Sequence, residues 1–290
     1  MKRQGWARIR RTTEIVAFSL LGLATAAGLF ALGVILYYMI SRGGPALSWE
    51  FLTSFPRKGM TAGGIYPALV GSFYLTAGAI VVALPLALGA AVFLVEYARE
   101  GFLVRAIRIC VNTLAGVPSI VFGLLGLALF VKALGIGVSI LAGALTLGLL
   151  ILPLLIRTAE EALRTVPRSF REGGLALGAT RWRTIRTIVL PAAMPGILTG
   201  MVLGLSRAIG ETAPIMFTAA AFFTPHLPSS PLDQVMALPY HIFVMATESP
   251  NYWKTKDLQY GAALVLLGLV LVLSLGAIIL RAYARRRKVW

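Results

Sequence analysis

Six long apolar stretches separated by short polar segments dominate the chain. They cover residues 15–40, 66–95, 107–134, 138–156, 188–223 and 260–280. A helix that crosses the hydrocarbon core of a bilayer takes roughly 20 apolar residues, so each stretch predicts one crossing. The fifth stretch would be roughly 50 Å long as a single helix, and we expect it to bend at Pro191, Pro195 or Pro214 before it emerges outside. The pattern predicts an all-α membrane protein with six transmembrane helices.

The composition supports a membrane protein and argues against a soluble domain. The chain of 290 residues is 58% hydrophobic and 13% charged, with a mean hydropathy of +0.83. Soluble domains are about 45–50% apolar and about 25% charged. A net charge of +16 would suggest nucleic-acid binding in a soluble protein, but no basic stripe lies on a soluble domain here. We therefore predict no nucleic-acid partner, and membrane lipid as the surrounding medium.

The basic residues divide unequally between the two sides of the predicted bundle. With the N-terminus inside, 20 fall on the cytoplasmic side and 6 on the outer side, and Arg207 lies within the membrane. The first group is Lys2, Arg3, Arg8, Arg10, Arg11, Arg99, Arg105, Arg108, Arg157, Arg164, Arg168, Arg171, Arg181, Arg183, Arg186, Arg281, Arg285, Arg286, Arg287 and Lys288. Since cytoplasmic loops carry the excess of Lys and Arg, both termini are predicted to be cytoplasmic.

The loop between the fourth and fifth stretches carries a distinctive segment, RSFREGGLALGATRWRTIRTIVLP at residues 168–191. Apolar and basic side chains alternate around several glycines, which predicts a short amphipathic helix, a turn and an entry into the membrane. One interpretation is a knob that docks on another protein. The other is an interfacial helix that lies on the lipid headgroups. The pattern alone favours neither.

This segment resembles the EAA loop of the membrane subunits of binding-protein-dependent ABC importers. That motif has Glu-Ala-Ala, three residues, Gly, nine residues and Ile-x-Leu-Pro, and it is matched in register by Glu172, Gly173, Gly174, Gly178, Ile188, Leu190 and Pro191. Gly173 and Gly174 replace the two alanines, which costs a helix about 1 kcal/mol each. The resemblance implies that residues 168–191 couple to an ATP-binding subunit, and we call them the coupling segment.

A nucleotide site is not predicted in this chain, because it contains no G-x-x-x-x-G-K-[ST] loop. ATP and Mg²⁺ are therefore expected on a partner ATPase subunit, and no cofactor and no catalytic site are expected here. His226 and His241 lack ligands at metal-binding spacing, so no metal site is predicted either. Glu96, Arg99 and Glu100 are interpreted as interfacial charges. Glu160 and Glu161 are interpreted as a solvated helix face.

Two charges lie deep in the fifth apolar stretch. Arg207 and Glu211 are spaced i, i+4, so they share a helix face and can pair. An unpaired Arg at that depth costs about 2.5–3.5 kcal/mol or more. The pair is either a structural ion pair between helices or a positive site on an anion pathway. For the second interpretation, the planar fork of Arg suits tetrahedral oxyanions.

The residues around this pair resemble the A-subunit permeases of phosphate ABC importers. The likeness is carried by SRAIGETAPIMFT (206–218), GGIYPALVGSFYLT (63–76) and LAGVPSIVFGLLGLALF (114–130). It implies a type I ABC importer permease (MetI-like) fold over residues 63–284, preceded by a first helix and outer loop (1–62) and followed by a basic tail (285–290). It also implies a multi-pass protein of the bacterial inner membrane, with Arg207, Glu211 and Thr212 on the substrate pathway.

The resemblance further implies a set of partners. They are a second, C-type permease subunit, a dimer of ATP-binding subunits and an extracytoplasmic phosphate-binding protein, with inorganic phosphate as the substrate. Two alternatives remain. A permease for sulfate or molybdate would keep the EAA loop but should lack the R-A-x-G-E-T-A-P segment, which is present here. A stand-alone secondary carrier would need coupling-ion sites and a fold complete in one chain.

Overall fold

The computed structural model describes residues 2–99, 101–249 and 252–286 and is almost entirely helical there. Its helices are α1 (Lys2–Gly43), α2 (Trp49–Thr53), α3 (Tyr66–Val92), α4 (Phe102–Ala115), α5 (Ser119–Gly126), α6 (Ile140–Arg164), α7 (Arg168–Ala176), α8 (Arg181–Thr184), α9 (Leu190–Gly210), α10 (Ala213–Thr218), α11 (Leu238–Thr247) and α12 (Tyr252–Arg286). Wider π-helical turns at Phe93–Tyr97, Leu127–Ala133 and Ile185–Val189 adjoin α3, α5 and α9. Strands β1 (Pro56–Arg57) and β2 (Ala62–Gly63) form a small antiparallel hairpin.

Within the described residues, five helical segments are long and apolar enough to cross a membrane. They are Thr13–Ala46, Tyr66–Tyr97, Ile140–Arg164, Arg181–Gly210 and Thr255–Gly276. A sixth crossing is made by Phe102–Ala115 and Ser119–Ala133, which meet at an angle of 103° and are together apolar and long enough to count as one span. The predicted all-α fold with six crossings is therefore confirmed when this bent pair is counted as one.

The third predicted helix is broken rather than straight. The break falls at Gly116–Val117–Pro118, where Pro118 takes an extended backbone immediately before α5. Proline has no N–H to donate and disfavours helix in the residue before it, so the helix ends here and restarts in a new direction. The apolar run did not reveal the turn, because the residues on both sides of it are apolar.

The centre of the bundle is formed by α3, α6 and α9. Leu75 and Ala79 of α3 are buried against Leu147 and Ile151 of α6, and Ala208 of α9 joins the same cluster. A second cluster lies at the other ends of these helices, where Ala91, Leu163, Val189 and Ala193 are among the buried members. By contrast, the span of α1 has none of its most apolar window buried. The body is thus three tightly packed helices with α1 at its margin.

The start of α6 is completed by a distant part of the chain. The first N–H groups of a helix have no partner within it. Here Ile140 N–H donates to Asp233 O and Leu141 N–H to Pro231 O, both at 2.9 Å, while the Ser139 hydroxyl accepts from Ala142 N–H at 3.2 Å. The loop around residue 232 therefore serves as a cap for α6.

The middle of the long loop between the fifth and sixth apolar stretches, residues 235–245, is apolar enough to suit a membrane surface or a partner, but it packs inside the chain. Leu238, Val244 and Met245 of α11 are buried with Phe51 and Ile65. This cluster turns α2, the start of α3, α11 and α12 into one apolar unit at the predicted outer face.

His241 lies in that unit, on α11 and outside the membrane-spanning helices. It is 3% exposed, and its Nδ1 atom has no hydrogen-bond partner among the described residues. Burial among apolar groups disfavours the charged imidazolium and lowers the pKa of His241 to about 4. The folded chain therefore holds this imidazole neutral across the physiological range.

We expect acid to loosen α11 through His241. Because the folded pKa is depressed, the unfolded state binds the proton first, and stability is lost as the pH falls from about 6.5 to about 4. The free energy of unfolding should fall by about 3 kcal/mol over this range. Hydrogen exchange of the α11 amides at pH 7 and pH 4 should show this loss of stability in the wild type and in the control variant His226→Leu. His241→Leu should remove the pH dependence that comes from His241. An equal pH dependence in the two variants would contradict the role of His241.

Candidate functional site

The first candidate site is the break between α9 and α10. Helix α9 ends at Gly210, Glu211 has an extended backbone (φ −76°, ψ 130°), and α10 begins at Ala213 with Pro214 in its first turn. The fifth stretch is therefore interrupted near Pro214, one of the three prolines at which a bend was expected. Pro214 marks the break, whereas Pro191 and Pro195 are accommodated within α9. Non-helical backbone at membrane depth is tolerated where it is buried in protein or lines a cavity.

The break brings the two predicted intramembrane charges together. Arg207 Nε lies 3.6 Å from Glu211 Oε1, and the side chains are 37% and 16% exposed. At this distance the two side chains form an ion pair, but the atoms are too far apart for a hydrogen bond. No other ion pair or hydrogen bond engages the Arg207 guanidinium within the described residues. Most of its five N–H donors therefore make no hydrogen bond to the described residues.

Arg207 also sits in the last turn of α9, where the carbonyl ends of the helix carry partial negative charge. This partial charge favours a cation, so Arg207 is tolerated at the break even with a loose partner. Thr212, the third predicted pathway residue, is half-buried and directly precedes α10. Its carbonyl accepts from Met216 N–H at 3.1 Å, and its side chain does not cap α10. Its place beside the pair is clear, while its role stays a prediction.

Sequence reasoning missed two hydroxyl groups beside Glu211. Ser72 and Thr76 of α3 line a small cavity together with Ala208 and Glu211. The Ser72 hydroxyl accepts a hydrogen bond from Leu238 N–H at 2.8 Å, and the Thr76 hydroxyl donates to Ser72 O. The available signal was a serine and a threonine at i, i+4 within an apolar stretch, which marks one polar face of α3.

The second candidate site is the coupling segment, whose helix α7 ends in a glycine turn. Gly178 has φ +78°, a left-handed conformation that residues with a Cβ adopt at a cost. Gly178 N–H donates to Leu175 O at 3.0 Å and Ala179 N–H to Gly174 O at 3.2 Å. These two bonds form a Schellman motif, which explains why glycine stands at that offset in the motif.

The apolar residues of the coupling segment divide between the core and the surface. Phe170 packs on the cluster formed by the ends of α3, α6 and α9. Leu175 and Trp182 are exposed, and Leu177 is 89% exposed. Large apolar side chains grouped on one surface mark an interaction site. The structure thus anchors one face of α7 and leaves the other unpartnered within the described chain.

The motif residues take different positions in this segment. Glu172 and Gly173 are exposed, whereas Gly174 is buried so closely that an added Cβ would lie 2.9 Å from side-chain atoms of Thr184 and Ile188. Leu190 and Pro191, both half-buried, form the first turn of α9. The coupling segment therefore runs through the Ile185–Val189 turn directly into the helix that carries Arg207.

Two carboxylates, Glu96 and Glu160, were misinterpreted from the sequence, whereas Glu161 is exposed as predicted. Glu96 is not an interfacial charge: its side chain is 9% exposed and it pairs with Arg171 at 2.7 Å. Glu160 is not on a solvated face, because it accepts from Arg108 at 3.2 Å and Arg164 at 2.6 Å. Glu100 lies outside the described residues. Arg171 lies 75 residues from Glu96 along the chain, and Arg108 lies 52 residues from Glu160. Only the fold reveals these two pairs.

Known proteins resemble the chain along nearly its whole length. Residues 83–289 match the family described as binding-protein-dependent transport system inner membrane component. The chain is 37% identical over 284 residues to phosphate transport system permease protein PstA 1 of Mycobacterium tuberculosis (strain ATCC 25618 / H37Rv), covering 96% of this chain and 91% of that protein. It is 34% identical over 281 residues to probable ABC transporter permease protein YqgI of Bacillus subtilis (strain 168), covering 92% and 95%.

Solved structures share the fold at low sequence identity. One is a bacterial alginate ABC transporter in complex with an alginate pentasaccharide-bound periplasmic protein, with TM-score 0.67, 14% identity and coverage of 94% of this chain and 95% of that chain. Another is the MetNI methionine ABC transporter in an inward-facing conformation, with TM-score 0.59, 18% identity and coverage of 76% and 97%. The predicted type I, MetI-like permease fold is confirmed.

We expect opposite effects from alanine at two glycines of α7 and its turn. Gly173 lies in the helix with open space around it, so Gly173→Ala should stabilise α7 by about 1 kcal/mol. Gly178→Ala should destabilise the turn by roughly 1–2 kcal/mol, because alanine must adopt the left-handed conformation. Hydrogen exchange of the amides of residues 170–180 measures both effects. Changes of the same sign would show that the turn does not control this helix.

Proposed function

Because the chain belongs to the binding-protein-dependent transport system inner membrane component family, we propose that it is a permease subunit of an ATP-driven importer of inorganic phosphate. It is a multi-pass inner-membrane protein with the importer permease fold. The observation that carries the proposal is the Arg207 guanidinium, held at a break in α9 with most of its donors uncommitted. The names of relatives at 34–41% identity point to phosphate as the anion.

A positive group at membrane depth suits an anion pathway for a physical reason. Phosphate entering an apolar bundle loses its water, and a charge-assisted, two-pronged contact with guanidinium replaces part of that hydration. Glu211 limits the strength of the contact, since its carboxylate competes for the same guanidinium. We infer that Arg207 alternates between Glu211 when the pathway is empty and phosphate when it is loaded, with Ser72, Thr76 and Thr212 as neutral neighbours.

The proposal includes partners on both sides of the membrane. The exposed Leu175, Leu177 and Trp182 of the coupling segment supply an apolar surface for an ATP-binding subunit, which would hold ATP and Mg²⁺. An extracytoplasmic phosphate-binding protein would deliver the substrate, as the periplasmic protein bound to the alginate transporter indicates for that system. A second, C-type permease would provide the other half of the pathway.

The proposed cycle is alternating access. ATP binding closes the dimer of ATP-binding subunits and moves the two coupling segments, one on each permease. Because the coupling segment continues into α9, this movement tilts the helix that carries Arg207. The outer mouth then opens to the loaded binding protein, and hydrolysis returns the bundle to the state that faces the cytoplasm.

Loss of the Arg207 charge should strongly reduce transport while the complex still assembles. In proteoliposomes that hold the full complex, Arg207→Gln should lower phosphate uptake about ten- to hundred-fold, as expected for the loss of a charge-assisted contact. Arg57→Gln, on the exposed hairpin, is the matched control and should transport normally.

The same vesicles test both the role of Arg207 and the choice of anion. ATP hydrolysis is measured alongside uptake, to show that the Arg207→Gln complex is assembled. Unchanged uptake in this variant would leave the Arg207–Glu211 pair a purely structural feature. Wild-type uptake of labelled sulfate at the rate of phosphate would instead favour a permease of broader oxyanion specificity.

Neutralising Glu211 should affect rate and affinity in opposite ways. Glu211→Gln removes the competitor for the guanidinium, so phosphate should bind more tightly and leave more slowly. We expect both the maximal uptake rate and the KM to fall, by about five- to ten-fold, for the loss of roughly 1 kcal/mol of competition. A higher KM in this variant would show that Glu211 itself contributes to binding.

A further inference from the structure

Arg171 of the coupling segment is fastened to two membrane helices at once. Its Nε and Nη2 atoms donate to Glu96 Oε1 at 2.9 and 2.7 Å, just beyond the C-terminal end of α3. Its Nη1 donates to Val166 O at 2.6 Å, and Nη2 also donates to Leu163 O at 2.9 Å, at the end of α6. A single guanidinium thus joins α7 to the ends of both helices.

This attachment is largely shielded from water. The Glu96 and Arg171 side chains are 9% and 21% exposed, and Phe170 packs on the apolar cluster beside them. Removing either partner leaves a charge with little water to replace the contact. A second guanidinium, that of Arg181 in α8, lies 5.9 Å from the centre of the Tyr97 ring. The Phe93–Tyr97 turn is therefore held from both helices of the coupling segment.

The other end of α3 reaches the Arg207–Glu211 site. Ser72 and Thr76 line the cavity beside Glu211, about 30 Å along the helix from Glu96 at 1.5 Å per residue. Between these points α3 packs along α6 and α9. One continuous helix therefore connects the coupling segment with the cavity beside Glu211.

The covalent connections explain why this attachment matters. The coupling segment continues directly into α9, so α9 moves with it by necessity. Helix α3 has no such continuity, since Glu96 and Arg171 are 75 residues apart. Without this ion pair, α3 would follow a displaced α7 only through its packing on α6 and α9.

We propose that the Arg171–Glu96 ion pair carries the movement of the coupling segment to α3, so that both walls of the Arg207–Glu211 site move together. Arg171 and Glu96 are positioning residues in this scheme, because neither contacts the substrate. The inference rests on the proposed function, in which an ATP-binding subunit drives the coupling segment. If α9 alone carries the movement, the ion pair only stabilises the fold.

The test is the number of phosphates transported per ATP hydrolysed by the full complex in proteoliposomes. Glu96→Gln and Arg171→Gln should lower this ratio at least about five-fold, the size of a modest coupling free energy, while ATP hydrolysis continues. Arg164→Gln is the matched control, since it removes an arginine–glutamate pair that lies within α6 alone. An unchanged ratio in an assembled Glu96→Gln complex would overturn the inference.

A covalent replacement for the ion pair separates coupling from folding. In a Cys110→Ser background, a Glu96→Cys/Arg171→Cys chain should show the low ratio until a short bifunctional thiol reagent joins the two cysteines, and the ratio should then recover. A verified cross-link with no recovery would refute the role of this link. A wild-type complex that hydrolyses ATP but takes up no phosphate would instead refute the proposed function. In that case the role of the ion pair is tested by ATP hydrolysis stimulated by the binding protein. This stimulation should be low in the double variant and recover when the cross-link forms.

Discussion

A break in a membrane helix exposes backbone N–H and C=O groups that lipid cannot satisfy, and this constraint governs the architecture. The chain breaks its apolar helices at residues 116–118 and at Glu211–Thr212. The helices that follow the two breaks, α5 and α10, pack closely against each other. The break at Glu211–Thr212 is partly buried by protein, and it supplies the setting for Arg207. A break of this kind would destabilise an isolated helix. Here it holds the Arg207–Glu211 ion pair, the only ion pair at membrane depth among the described residues.

Helix ends at the predicted cytoplasmic side are under a related constraint. The last carbonyls of a helix have no partner within it, and Arg171 donates to one of these in α6, Leu163 O, and to Val166 O just beyond the helix. The guanidinium that completes α6 also neutralises Glu96. Capping and ion pairing are thus combined in one side chain, while Leu175 of α7, Leu177 in the turn and Trp182 of α8 stay exposed.

Local patterns were sufficient to predict much of this arrangement. The six apolar stretches, the small helix with its glycine turn and the Arg207–Glu211 pair all depend on neighbours within a few residues, where spacing determines geometry. The resemblance to importer permeases then located the coupling segment. What the sequence did not provide was long-range pairing: Arg171 with Glu96, Glu160 with Arg108, and Ser72 beside Glu211. The burial of α11 was missed for the same reason, since its apolar residues suit a membrane, a partner or an internal core equally well.

The cap on α6 has a consequence for biosynthesis. Ile140 and Leu141 donate to residues 233 and 231, and Ser139 N–H donates to Thr218 O, so the start of α6 is completed by chain made much later. At about 5–20 residues per second, the interval between the emergence of these partners from the ribosome is on the order of ten seconds. During that time α6 must remain in the insertion machinery or at the membrane surface with unsatisfied N–H groups. Insertion of the fifth crossing, together with export of the loop that follows it, therefore sets the moment at which the bundle closes.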